Sequence, residues 1–332
     1  MKLALLSAQP YDQRFFDEAL QRDCLAGDLA LSYLTPTLNR DTVRLAQGYD
    51  AICVFVNDQL DAAVLEALAG YGVKAILLRC AGFNNIDLES AGRLGLFVAR
   101  VPGYSPEAVA EHTLALVMTL NRHTHRAYNR VREGNFMLEG LLGFNLHGKT
   151  VGIIGTGQIG LATARIFKGF GCRVLGYDPF ETAAFSGVGE YVTLGQLLAE
   201  ADIVSLHCPL SDTTRHLIRA ETLAQMKPGA MLVNTSRGAL VDTLAVIEAL
   251  KSRQLGSLAI DVYEQESQLF FHDRSSDRID DEVFLRLTTF PNVLITGHQG
   301  FFTREALDQI AEVTLDNLRC FVQGERCANS LV

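Results

Sequence analysis

Arg237, Glu264 and His298 stand in three loops late in the chain, within Asn234-Thr235-Ser236-Arg237-Gly238, Asp261-Val262-Tyr263-Glu264 and Gly297-His298-Gln299-Gly300. The three residue types suit the reduction of a carbonyl group by hydride. Hydride arriving at the carbonyl carbon leaves negative charge on its oxygen, which calls for a nearby proton donor and a cation to hold the substrate. A histidine titrates in the useful range. A carboxylate beside it favours the imidazolium and fixes its orientation. An arginine fork binds a substrate carboxylate bidentately, which lysine cannot imitate. Arg237 and His298 also have plain structural readings when taken singly, with Arg237 pairing with Asp242 and His298 a satisfied turn histidine.

Hydride needs a carrier, and the carrier's site is written upstream in Val151-Gly152-Ile153-Ile154-Gly155-Thr156-Gly157-Gln158-Ile159-Gly160. Gly155, Gly157 and Gly160 have the G-x-G-x-x-G spacing. The first allows a tight strand-to-helix turn, the second lets a pyrophosphate approach the backbone, and the third lets helix and strand pack closely. The spacing alone is a weak signal in a chain with 28 glycines. Its context strengthens it: an apolar run from Thr150 to Ile154 precedes it, and Leu161, Ala164, Ile166 and Phe167 follow at helical spacing. A second apolar run, Arg173 to Tyr177, ends in Asp178, which is placed to accept from ribose hydroxyls and repel a 2′-phosphate. The cofactor expected is NAD rather than NADP.

The elements that must position these loops read as alternating strands and helices. Lys2–Leu6, Leu29–Tyr33, Ala51–Val56, Lys74–Leu78 and Leu96–Ala99 are short and apolar, with helical stretches such as Ala62–Leu68 and Leu88–Leu94 between them. Ser105-Pro106-Glu107 opens a long amphipathic helix that stands before the glycine loop. After Asp178, strands over Ile203–His207, Met231–Asn234, Leu258–Ile260 and Val293–Thr296 each stop in a polar or proline-bearing loop. In an open parallel sheet those ends share one edge with the glycine loop. Gln265 to Arg286 breaks the rhythm and reads as a charged excursion over the surface, anchored by Phe270 and Phe271. Arg304 to Val322 reads as a packed helix.

Composition bounds the rest. The 332 residues suffice for about two domains. A net charge of −9 with no long basic run argues against a nucleic-acid partner, and no apolar run approaches the length of a membrane span. Seven scattered cysteines without a C-x-x-C pair read as reduced thiols of a cytoplasmic protein. His112, His123 and His125 lack acidic companions at ligand spacing, so no metal is expected.

Several motifs in order carry a resemblance that runs from Met1 to Val332: Arg79–Leu88 (RCAGFNNIDL), Pro102–His112 (PGYSPEAVAEH), Leu120–Arg130, the glycine loop, Ser205–Leu210 (SLHCPL), Asn234–Asp242 (NTSRGALVD), Asp261–Glu264 and Thr296–Thr303 (TGHQGFFT). The chain resembles the D-isomer-specific 2-hydroxyacid dehydrogenase family, and within it most closely the fermentative D-lactate-forming branch. The resemblance implies two doubly wound parallel-sheet α/β domains. A Rossmann NAD domain, residues 102–298, would be inserted into a flavodoxin-like catalytic domain made of residues 1–101 and 299–332, joined by hinge helices.

The resemblance also implies roles. Arg237 would bind the 2-oxo acid, His298 would be the acid/base, and Glu264 would support it. Thr156, Gln158, Ile159, Asp178, Cys208, Pro209, Thr214, Thr235, Ser236 and Asp261 would touch NAD, with Thr214 standing in for a common asparagine. The backbone at Ala81 and Gly82 and the ring of Tyr104 would line the substrate. Gly103 and Gly300 stand where alanine is usual. The activity implied is reduction of pyruvate to D-lactate with NADH by a homodimer or homotetramer. The alternatives are the same chemistry on a larger 2-oxo acid, or an NAD-sensing co-repressor-like binding protein.

Overall fold

The computed structural model describes residues 1–22 and 29–332. Cys24 lies outside the described residues. The chain divides into two compact units, Met1–Ser105 with Phe301–Val332, and Pro106–Gly300. The expected boundaries, after residues 101 and 298, fall slightly ahead of the observed ones.

The first unit begins with β1 (Lys2–Leu5), α1 (Pro10–Arg22), β2 (Ala30–Tyr33), β3 (Ala51–Val54), α2 (Ala62–Gly70), β4 (Ala75–Leu78), α3 (Leu88–Arg93) and β5 (Phe97–Arg100). The strands form one parallel sheet in the order β2-β1-β3-β4-β5, the flavodoxin-like arrangement. Every residue of β3 and β4 is buried, as expected of central strands with helices on both faces. Asp61 and Asp87 start α2 and α3 by accepting from the Val64 and Ser90 amides.

The second unit comprises α4 (Pro106–Arg122), α5 (Thr124–Arg132), β6 (Thr150–Ile154), α6 (Gln158–Gly169), β7 (Arg173–Tyr177), α7 (Ala183–Ser186), β8 (Glu190–Tyr191), α8 (Leu194–Glu200), β9 (Ile203–Leu206), α9 (Ala220–Leu223), β10 (Ala230–Asn234), α10 (Thr243–Lys251), β11 (Leu255–Ile260), α11 (Glu282–Thr288) and β12 (Val293–Ile295). Its seven strands are parallel in the order β12-β11-β10-β9-β6-β7-β8. Side chains alternate between two cores. Val151, Ile153, Val174, Met231, Val233 and Ala259 face the core shared with α4 and α6. Ile154, Leu175, Leu232, Leu258 and Ile260 face the core shared with α8 and α10. Two buried faces explain why these strands read as continuous apolar runs instead of alternating ones.

The chain then returns to the first unit as α12 (Arg304–Gln323), which packs against α1 and β4. Thr303 caps its start, and Gly324, at φ +67°, ends it. The last residues run antiparallel to β5, with Arg100 N–H donating to the Asn329 carbonyl and Leu331 N–H to that of Val98. They cover what would otherwise be an open sheet edge.

One expectation is corrected here. The charged run toward Arg286 does not stay irregular. Asp281 accepts from the Phe284 amide and Glu282 occupies the first turn, so these acids open α11.

Candidate active site

The ends of six strands line up across the second sheet. Tyr177, Ile154, Leu206, Asn234, Ile260 and Ile295 are successive partners in register. The loops that follow therefore leave from one edge. β6 is the point at which strand order reverses, with β7 on one side and β9 on the other, and such a switch point opens a crevice for a ligand.

The three glycines of the β6–α6 turn meet different demands. Gly155 has φ +91°, and a Cβ there would run into the backbone of His207 and Cys208. A Cβ on Gly160 would strike the Gly155 carbonyl. A Cβ on Gly157 would meet nothing within 4 Å. The outer glycines thus serve packing, while the middle one keeps an exposed approach clear at the start of α6, where no side chain caps the helix. That fits a pyrophosphate, which needs close access to amide N–H groups. Gln158 is exposed and Ile159 half-buried beside it. Thr156 is buried, with its hydroxyl 2.7 Å from that of Tyr191, so only its backbone borders the approach. Its amide donates to Asp178 Oδ2 at 2.8 Å, and the Phe180 amide donates to Asp178 Oδ1 at 2.9 Å. Each oxygen keeps lone-pair capacity for a ribose hydroxyl.

The other residues expected around NAD are locked into their turns. Burial pushes the Cys208 thiol up to about 11, and the Cys208 carbonyl accepts from Ser236 Oγ at 2.7 Å. Pro209 accepts from Thr214 Oγ1 at 2.7 Å, so the Thr214 hydroxyl braces its own turn. Thr235 Oγ1 lies 2.9 Å from Thr113 Oγ1 of α4. Asn234 Nδ2 donates to the Arg237 carbonyl at 2.8 Å and shapes the turn that carries this arginine. Arg237 is half-buried, with Nη1 donating to the Ser236 carbonyl at 2.7 Å. Among the described residues it has no carboxylate partner, because Asp242 instead caps α10 through the Ala245 amide. Gly238 seats this turn directly on the backbone of Tyr263 and Glu264, where a Cβ would overlap.

The carboxylate beside His298 is not Glu264, which corrects the sequence expectation. Glu264 Oε1 lies 2.6 Å from His216 Nε2, its Oε2 accepts from Thr243 Oγ1 at 3.3 Å, and Arg215 is 3.9 Å away. Glu266, two residues on, folds back so that Oε2 accepts from the Tyr263 amide at 2.9 Å. Its Oε1 then meets His298 Nδ1 at 2.9 Å. The sequence offered two glutamates in this loop. Only the return to the Tyr263 amide distinguishes the one that reaches the histidine. Phe271 also approaches His298, with ring centroids 5.7 Å apart, while Phe270 enters the core.

His298 holds φ +54°, a conformation that costs a non-glycine residue roughly 1–2 kcal/mol. Asp261 secures it. Its carbonyl accepts from the His298 amide at 2.7 Å. Its Oδ1 accepts from the Gln299 amide at 2.9 Å and from Thr296 Oγ1, and Oδ2 accepts from the Gly300 amide at 2.8 Å. His112 Nε2 stands 3.2 Å from Oδ1. Burial pushes this carboxyl up, but the hydrogen bonds from His112, Thr296 and Gln299 outweigh it and hold it below the usual carboxylate range. Any contact of Asp261 with NAD would share oxygens already engaged by the protein.

Ala81, Gly82 and Tyr104 belong to the first unit. Arg100 Nη1 donates to the Ala81 carbonyl at 2.7 Å, Cys80 Sγ to that of Gly82 at 3.2 Å, and Tyr104 meets Phe301 edge-on at 6.5 Å. A small loop after β4 and an aromatic pair are thereby fixed within that unit.

Residues 114–300 match the family described as "D-isomer specific 2-hydroxyacid dehydrogenase, NAD binding domain". The chain belongs to the D-isomer specific 2-hydroxyacid dehydrogenase family. It is 61% identical over 332 residues to the 2-hydroxyacid dehydrogenase A of Aspergillus oryzae, covering 100% of this chain and 95% of that one. The apo-structure of D-lactate dehydrogenase from Escherichia coli superposes with a TM-score of 0.89 at 50% identity, over 100% of both chains. The NAD-complexed D-isomer specific 2-hydroxyacid dehydrogenase from Lactobacillus delbrueckii ssp. bulgaricus gives 0.80 at 31% identity, again over 100% of both. The second unit of this NAD-dependent dehydrogenase is accordingly its Rossmann domain. Among the described residues no cluster of three or more His, Cys, Asp or Glu side chains could hold a metal ion, and no helix is long and apolar enough to cross a membrane.

Proposed function

We propose that this dehydrogenase reduces pyruvate to D-lactate with NADH, reversibly, with His298 as the acid/base. The observation that carries the reading is the His298–Glu266 pair at 2.9 Å, set on the same sheet edge as the glycine loop and Arg237. NADH, when bound, supplies the hydride. The loop from Gly155 to Gly160 would hold the pyrophosphate, Asp178 the adenosine ribose, and the backbone at Cys208-Pro209 and Thr235-Ser236 the remainder. Arg237 offers its guanidinium to the carboxylate and carbonyl oxygen of the 2-oxo acid. With Nδ1 directed at Glu266, proton delivery to the carbonyl oxygen falls to Nε2 of His298. Glu266 orients the ring and compensates the charge of its imidazolium form. Ala81, Gly82 and Tyr104 are assigned to substrate on the family resemblance.

Sequence likeness to D-lactate dehydrogenase favours pyruvate over longer 2-oxo acids. Comparing kcat/KM across pyruvate, oxaloacetate and branched 2-oxo acids tests this. Pyruvate should lead, whereas a larger acid turning over faster would reassign the substrate. An extra methylene discriminates only about 10–200-fold, so the comparison must be quantitative.

We also propose a homo-oligomer in the cytoplasm. Support comes from the segment of residues 128–142, where Tyr128, Val131, Phe136, Met137, Leu138 and Leu142 are all exposed, Leu142 to 92%. Exposed apolar side chains at this density support an association surface. The described cysteines are all free thiols, consistent with a reducing compartment.

A further inference from the structure

We propose that His112 is a positioning residue for the catalytic turn, acting on His298 through the buried carboxylate of Asp261; the inference rests on the role given to His298 above. Asp261 is the hub of residues 296–300. The Gln299 and Gly300 amides and the Thr296 hydroxyl all converge on its carboxylate, and the His298 amide on its carbonyl. These four donors come from the turn and tie it to Asp261, which follows β11. From α4, His112 Nε2 reaches the same carboxylate, 3.2 Å from Asp261 Oδ1, and also stands 3.2 Å from Thr296 Oγ1.

His112 is well placed to act as a fixed post. It projects from α4, whose Leu116, Val117 and Leu120 are part of the core beneath the sheet. The neighbouring residue, Thr113, engages Thr235 of the Arg237 turn at 2.9 Å. Two consecutive side chains of one helix thus hold the loops bearing the proposed substrate-binding arginine and the proposed acid. Gly300 packs beside the His112–Asp261 pair. A Cβ on Gly300 would come within 3.1 Å of Asp261 Oδ2 and 3.5 Å of His112 Cδ2, so glycine at this position accommodates the contact.

Removing His112 should let the strained turn at His298 relax and draw the imidazole away from Glu266. The test measures kcat, pyruvate KM and NADH affinity for wild type, His112→Ala and His112→Gln, whose amide can replace Nε2. Long-range ¹H–¹⁵N spectra of the apoprotein are recorded alongside to follow the His298 ring nitrogens. His112→Ala should lower kcat on the order of 10–100-fold, as expected for a misplaced catalytic group. NADH affinity should stay within about threefold, and the His298 Nδ1 signal should shift. Glutamine should restore both kcat and the signal. A kcat for His112→Ala within about twofold of wild type, or an unshifted His298 signal, would overturn the inference. If alanine prevents folding, His112→Asn, whose amide mimics the other ring nitrogen, decides: lost kcat and a shifted signal support the role, and wild-type values refute it. A wild type inactive on every 2-oxo acid would sink the proposed function, while the spectra would still judge His112.

Discussion

Glu264 and Glu266 lie two residues apart and meet different histidines, His216 and His298. Glu266→Gln should therefore lower kcat for pyruvate reduction roughly 10²-fold, the low end of what positioned acid–base groups contribute. Glu264→Gln should leave kcat nearly intact and reduce only thermal stability; equal losses in kcat would contradict the assignment. The sequence made the chemistry legible but not the partner, because both glutamates fit the charge logic and the choice depends on one backbone amide, that of Tyr263. His112 was equally hidden: a histidine on an amphipathic helix carries no mark of the aspartate it will meet 149 residues later. Asp261 yields a pH prediction. Its folded-state pKa is depressed, so its stabilising contribution is present above the unfolded value of about 3.9 and is lost as pH falls through the lower folded value. The margin in Tm of wild type over Asp261→Asn should be full at neutral pH and shrink below pH ~4. A margin independent of pH would show that the charge is not what stabilises the turn.

Among the elements, the glycine turn separates fold from function most cleanly. Gly160→Ala forces a methyl into the Gly155 carbonyl and should lower Tm sharply, at a cost of about 1–3 kcal/mol for overpacking. Gly157→Ala points into open space and should leave Tm unchanged while weakening NADH binding. If both variants lost stability equally, the middle glycine would not be reserved for a ligand. Most strands of both sheets were readable because burial on two faces writes them as unbroken apolar runs. The exceptions have physical causes. Glu190–Tyr191 is a two-residue edge strand, too short for any pattern. The start of α11 was masked because its capping acids, Asp281 and Glu282, also read as a solvated charge run. The strand expected over Ile203–His207 ends one residue earlier, at Leu206.

At the scale of the whole molecule, the position of the glycine loop nearly halfway along the chain signalled one domain inserted in another; the chain leaves its first unit after Ser105 and re-enters it at Phe301. The proposed assembly was less legible, since the apolar side chains of residues 128–142 are indistinguishable in sequence from core residues until their exposure is known. Replacing Leu138 and Leu142, exposed to 82% and 92%, by aspartate should reduce the mass seen in sedimentation velocity to that of a monomer without unfolding the chain. An unchanged mass would place the interface elsewhere. The central claim is tested most directly by incubating purified protein with NADH and pyruvate and resolving the product on a chiral column. The account predicts D-lactate equal in amount to the NADH oxidised. L-lactate, or no oxidation of NADH, would contradict it.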